Sequence, residues 1–434
     1  MPIPIICLES TLRQYAEAFR QSFTWPQFQH FVTVLLGLVL APERRTLSGL
    51  LSRVAGVASL SALSRFFSQA PWSTEKLAQA WLRRFRQQLA PAVQAEHARQ
   101  GAQQPRRRGR CKSTQVTAFA IFDDTTMAKH LQGETDKRMA GVGQHYSSTA
   151  GQVVQGHSLV VGLLEVLGRR CPLPPMLYRQ QAVAQTEGVA FQSKVDLVIA
   201  ATQALVPVPG TSTHILVDSW YSGRRLWRTA LGRGFTITGG IRSNRWLRLP
   251  DPQRPGCRRK VRLSQYLSEL APEDFVTVPW RGRQVATHLV RTLVYRLGAC
   301  QVLVVKEHPD ALTESARCWA TSDLKADLAT VASYGAQRWD IETWIEDAKE
   351  LLGLDHYQVT WAEGVVRFCH LVASCYLYLD EVRAELVSQG QIGATIGDAL
   401  RYQQKGQYHL LLEWLREQFT QGHSVDYVEA LLAA

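Results

Sequence analysis

At 434 residues, with 46% hydrophobic and 20% charged residues, the chain is long enough for two or three domains around a substantial core, and its composition excludes a disordered protein. Forty-nine lysines and arginines against 37 acidic residues leave a formal charge of +12, which points to a polyanionic partner, most simply nucleic acid. Eight cysteines without a CxxC pair, and twelve histidines without finger spacing, argue against a zinc module and suit reduced core thiols in a cytoplasmic protein.

The N-terminus, MPIPIICLESTLRQ, lacks both a basic start and a long apolar stretch, so no signal peptide is expected. The apolar run from Phe31 to Ala41 is too short to span a bilayer and reads as a buried helix; no membrane partner is expected. Residues 1–96 read as a helical DNA-binding domain, with apolar positions at three- and four-residue spacing. Within them, Thr46 to Phe67 has the outline of a helix-turn-helix, with its corner near Gly56 and a second helix from Ser59; a plain helical bundle fits as well. Residues 97–115 read as a basic linker. Arg106, Arg107 and Arg108 there are placed to follow a phosphate backbone, or simply to be solvated.

From 116 to 242 the pattern alternates between strand and helix. Strands are expected at Thr117–Phe122, from Gly156, at Met176–Tyr178, at Thr213–Val217 and from Thr236, with helices over Gln192–Leu205 and Leu226–Leu231. Residues 243–320 change character to basic turns and short strands, a β-rich insertion in which Trp280 suits either a core position or a stacking role. Helices resume over 321–380 and continue through a C-terminal region, 381–434.

Two apolar strands end in aspartate, IFDD at 121–124 and ILVD at 215–218. Adjacent carboxylates repel and resist burial, so the Asp123–Asp124 pair needs a reason beyond a turn, although a turn is the plain alternative. A third candidate lies in the helical stretch from about Leu328 to Leu352. At about 100° per residue, Glu342 lies roughly 40° from Arg338, Lys349 roughly 20°, and Tyr334 roughly 40° on the other side. These groups would share one face, which is either an exposed face with Arg–Glu contacts or a working one. Two strand-end aspartates and a helix glutamate suit two Mg²⁺ ions, with Mn²⁺ as a substitute, for in-line displacement at phosphorus; Arg338 and Lys349 would clamp phosphate.

The ordered blocks IFDDTT, LVDSWYS and RWDIETWIEDAKELLGLDHYQ resemble the DDE transposases of bacterial insertion sequences, the last block resembling their YREK signature. Arg338, Glu342 and Lys349 keep the signature's spacing, whereas Tyr334 stands one residue further from Arg338 than the signature Tyr does. The resemblance implies an α/β fold with a ribonuclease H-like core interrupted by a β-rich insertion, the core halves being 116–242 and 321–380. It implies Asp124, Asp218 and Glu342 as catalytic metal ligands, Asp123 being the less favoured neighbour, with Arg338, Lys349 and Tyr334 on DNA. It further implies two-metal cleavage of terminal inverted repeats, transfer of 3′-hydroxyl ends into target DNA, and a homodimer or higher synaptic complex associated with the nucleoid. The competing readings are a non-catalytic DNA-binding protein derived from such an enzyme, and a nuclease of another pathway on the same core.

Overall fold

The computed structural model describes residues 10–41, 44–52, 54, 59–103, 115–129, 139–147, 150–251 and 253–433. Arg106, Arg107, Arg108 and the helix-turn-helix corner lie outside them. The chain begins with α1 (Ser10–Glu17), α2 (Trp25–Leu40), α3 (Leu47–Leu51), α4 (Leu60–Ser68) and α5 (Thr74–Gln103). Pro26 sits in the first turn of α2, where a missing N–H costs nothing, and the Thr24 N–H ahead of it donates to Gln27 Oε1. The Phe31–Ala41 run is buried, as its composition demands. The helix α5 continues through His97 to Gln103, where a linker was expected, because Ala, Gln and Arg sustain a helix and Glu96 pairs with Arg99 there.

The strands form one mixed sheet. After β1 (Val116–Ala128), β2 (Gly143–Ser147), β3 (Gln152–Val166) and β4 (Arg169–Tyr178) come α6 (Gln181–Thr186), α7 (Lys194–Ala204), β5 (Thr211–Val217), α8 (Arg224–Gly232) and β6 (Thr236–Gly240). The strand β1 pairs antiparallel with β3, which carries β2 and β4, and parallel with β5, which pairs parallel with β6. Parallel pairing requires a crossover, and α8, buried through Leu226, Trp227 and Ala230, supplies it between β5 and β6.

The segment expected as an insertion folds as β7 (Trp246–Pro250), β8 (Arg258–Arg262), α9 (Leu263–Glu269), β9 (Val276–Trp280), β10 (Arg283–Val294), β11 (Gly298–Lys306) and β12 (Arg317–Thr321). It is not detached from the core: β12 pairs antiparallel with β6, so the sheet runs β2-β3-β1-β5-β6-β12-β11-β10-β7-β8 without interruption. Trp280 is buried against Trp319 and over the bare backbone of Gly335, a core position.

The single long helix expected over Leu328–Leu352 is two, α10 (Leu328–Gln337) and α11 (Asp340–Glu350), with the chain turning at Arg338 and Trp339. No proline marks the break. The turn tightens through Trp339 N to Ala336 O, while Arg281 stacks on the Trp339 ring and Arg170 holds Asp340 at the start of α11. Then follow α12 (Ala362–Ser388), α13 (Ile396–Thr420) and α14 (Val425–Ala433). The helix α12 is buried along most of its length because it packs on β4 on one side and on the N-terminal helices on the other. Phe67 meets Phe368, the Tyr15 hydroxyl donates to Ser374 O, and Arg367 donates to the carbonyls of Phe67 and Trp72. The two ends of the chain therefore share one apolar core with the sheet. Among the described residues no helix is long and apolar enough to cross a membrane, and of the six described cysteines only Cys257 is exposed.

Candidate active site

The aspartate pair is not at a strand tip. β1 runs five residues past Asp123, to Ala128, because β3 continues to pair with it, whereas its parallel neighbour β5 stops at Val217, opposite Phe122. Asp123 and Asp124 thus stand where the sheet opens on one side, at the carboxyl end of β5. Side chains alternate along a strand, so the two carboxylates take opposite faces. The faces are identified by their neighbours. Phe119 contacts Tyr334 of α10 and Met127 accepts from the Tyr357 hydroxyl, placing the odd-numbered residues of β1, including Asp123, toward α10 and α11. The His214 ring packs, tilted, against the same Tyr334 with centroids 4.0 Å apart, placing His214, Leu216 and, one residue past the strand, Asp218 on that face too.

Three carboxylates converge there around one guanidinium. Arg338 reaches Asp123 Oδ2 at 3.4 Å and pairs with Glu342 one helical turn on, and it lines the same depression as Asp218. Asp218 is fixed by its own turn, its Oδ1 accepting from the N–H groups of Trp220 at 2.9 Å and Tyr221 at 3.2 Å. Burial first, then the neighbouring Asp218 charge, pushes Asp123 up to about 7, partly countered by the Asp124 N–H it accepts. Burial likewise raises Asp218. Crowding of buried acids in this way disfavours their ionised forms, and added positive charge would favour them.

Asp124 is occupied elsewhere. On the opposite face its Oδ2 accepts from Lys194 Nζ at 2.5 Å and its Oδ1 from the Tyr221 hydroxyl at 2.6 Å. Tyr221 also gives its N–H to Asp218, so Asp124 braces the turn that carries Asp218. Strand alternation thus puts Asp123, rather than Asp124, on the face that carries Arg338 and Glu342, although the Asp124 charge is still felt at Asp218. 

A family described as DDE superfamily endonuclease matches residues 18–292 of the chain. The chain belongs to this family. The match takes in Asp123, Asp124 and Asp218 but ends before Glu342, whose membership of the site rests on the geometry above. A cryo-EM structure of a piggyBac transposase synaptic complex with hairpin DNA is similar over 96% of this chain and 83% of that one, at 14% identity and a TM-score of 0.44, too distant to carry an argument. No curated protein matches.

The remaining residues of this DDE-family chain named from sequence divide. Lys349 projects from α11 onto β1, donating to Thr126 O at 3.0 Å, so it stays with the carboxylates as a strut. Tyr334 does not join them. Tyr334 is buried, with its hydroxyl on Asp323 and its ring against Phe119 and His214, rather than on an open face. Lys194 and Tyr221 were missed. Ser193, whose capping box with Asp196 opens α7, was a legible signal for Lys194; nothing local marked Tyr221.

The donor set suits a hard divalent ion, being all carboxylate oxygen. Among the described residues no three such side chains already stand at metal-holding spacing, because the Arg338 guanidinium lies between Asp123 and Glu342. Superfamily members generally use divalent metal ions, and Asp123, Asp218 and Glu342 are the residues that would hold them.

Proposed function

We propose that the chain is a transposase. It binds the terminal inverted repeats of its element, cleaves the ends by metal-dependent phosphodiester hydrolysis, and transfers the 3′-hydroxyl ends into target DNA in a multimeric complex. The observation that carries this reading is the convergence of Asp123, Asp218 and Glu342 on Arg338, inside a chain of the DDE endonuclease family. The strand order, three antiparallel strands running into the parallel pair β5 and β6, supports a ribonuclease H-like core. Two Mg²⁺ ions, with Mn²⁺ as an alternative, would activate the attacking hydroxyl and stabilise the leaving oxygen. 

The chain's own residues have separate tasks in this reading. Asp123, Asp218 and Glu342 supply the oxygens. Arg338, a planar fork shared between two of these acids, turns to a DNA phosphate once their charge is met. Asp124, through Tyr221, keeps Asp218 aimed, and Lys349 fixes α11 to β1.

The test is cleavage of DNA bearing the element's terminal repeats, in Mg²⁺. Asp123→Asn, Asp218→Asn and Glu342→Gln are expected to lose roughly a thousandfold or more of the rate, and Asp124→Asn about tenfold. Full activity in Asp218→Asn or Glu342→Gln would sink the assignment, and a greater loss in Asp124→Asn than in Asp123→Asn would restore Asp124 as the ligand. Cleavage without strand-transfer product would instead favour a nuclease of another pathway.

A further inference from the structure

A groove of about 960 Å³ opens beside the carboxylates, on the Asp124 side of the sheet. Its walls come from β2, the start of α7, the turn after Asp218, and the turns flanking β7 and β10. Three of its rings stand in water: Trp220 is 63% exposed, Tyr146 67% and Tyr295 57%. One exposed aromatic needs no explanation, but three around a single groove do.

The charge is as one-sided as the apolar surface. No described residue lining the groove is acidic, while Arg242, Arg245 and Arg296 all line it, and among the described residues none of the three makes an ion pair. Arg242 lies over the Trp220 ring at 5.9 Å and Arg296 over Tyr295 at 5.4 Å. Burial, then the charges of Arg296 and Arg242, lower the pKa of Arg245, so the cluster strains against itself and an anion would relieve it. His145, nine-tenths buried in the wall, has an Nε2 without a partner. Burial holds this imidazole neutral, its pKa lowered to about 4.

Cations alone would suit any DNA backbone, because phosphates carry no information about strandedness. The exposed ring faces discriminate. In a duplex the bases already stack on each other, whereas unpaired bases have free faces to lay on Trp or Tyr. We infer that this groove holds a short single-stranded DNA segment continuous with the duplex cut at the carboxylates, its phosphates on Arg242, Arg245 and Arg296 and its bases on Trp220 and Tyr295. The inference rests on the nuclease reading for its substrate, DNA, and adds the strand form the enzyme recognises. Trp220 lines the groove and gives its N–H to Asp218, two residues before it, so the groove lies next to the turn that carries this carboxylate.

The test is fluorescence anisotropy of the full chain, in EDTA so that nothing is cut, with three labelled probes: a single strand, a blunt duplex of the same sequence, and that duplex with a single-stranded overhang. The overhang duplex is expected to bind more tightly than the blunt one. Trp220→Ala and Tyr295→Ala should each weaken the single-strand and overhang complexes roughly 5- to 100-fold, the range for loss of one stacked base, and leave the blunt duplex within about twofold. Tyr295→Phe, which keeps the ring, should bind as the parent does. Equal losses on all three probes, or no loss on any, overturn the proposal. A chain that prefers the overhang but never cleaves keeps the groove and loses the nuclease reading; one that cleaves without the preference loses only the groove.

Discussion

The two aspartates of IFDDTT are turned to opposite faces by β1, and that decides their partners: Arg338 for Asp123, Lys194 and Tyr221 for Asp124. The sequence pointed to the pair but not to its sidedness. Residues 118–122, Ala-Phe-Ala-Ile-Phe, are apolar on both faces because the strand is covered on both, so the alternation that would have assigned Asp123 and Asp124 carries no contrast. Asp218 has no second acid beside it to choose between, and Glu342 stands one helical turn from Arg338, with which it pairs. A second buried acid makes a sharper prediction. Glu165 on β3 is 6% exposed and accepts from Gly168 N at 2.6 Å; burial pushes its pKa up to about 7 from 4.5. The folded state therefore holds a proton that the unfolded chain releases between pH 4.5 and 7, so this group's contribution falls as pH rises through that window. Glu165→Gln is expected to melt close to the parent at pH 4.5 and to exceed it by roughly 3 kcal/mol at pH 8. Thermal melts across pH check it, and a parent more stable than the variant at pH 8 refutes it.

At the scale of elements, strands and helices were readable from period and punctuation, but the joints between them were not. The stretch ATVASYGAQRWDIETWIEDAKELL reads as one helix on propensity, and it breaks because Arg281 and Arg170 hold Trp339 and Asp340 from outside. Tertiary anchors of this kind leave no local trace, and neither does the burial of Tyr334 against β1 and β5. Gly156 is a joint of another sort. It begins the GHSLVV run of β3, and a Cβ there would lie 2.1 Å from Met127 O on β1, a backbone atom that cannot step aside. Gly156→Ala is expected to spread β1 from β3 just beyond the aspartates, at a cost of about 1–3 kcal/mol. Denaturant unfolding should show the loss, and cleavage should fall with it; an unchanged midpoint would mean that the strands already have room.

At the scale of the molecule, the N-terminal helices, the sheet and the C-terminal helices share buried surfaces. Nothing in the apolar spacing of residues 10–96 says what their buried faces meet, and the partner, α12, lies some 300 residues downstream, as the Arg367–Phe67 contact shows. Removing the residues before Ser73 takes the carbonyls of Phe67 and Trp72 away from the buried Arg367 and uncovers Phe368 and Tyr378. Such a chain is expected to aggregate or to lose its cooperative melt. A soluble fragment with the melting temperature of the full chain would show that the N-terminal helices are an independent unit.

The join of β6 to β12 has a mechanical meaning. From the basic β7–β8 ribbon, the path through β10, β11, β12 and β6 to β5 crosses hydrogen-bonded strands at every step, and β5 delivers Asp218. The outer ribbon and the strand ahead of Asp218 are thus parts of one sheet, joined at β7 and β10 by two residue pairs, Leu293 with Arg248 and Val294 with Leu247, so a load on the ribbon reaches β5 through strand-to-strand hydrogen bonds.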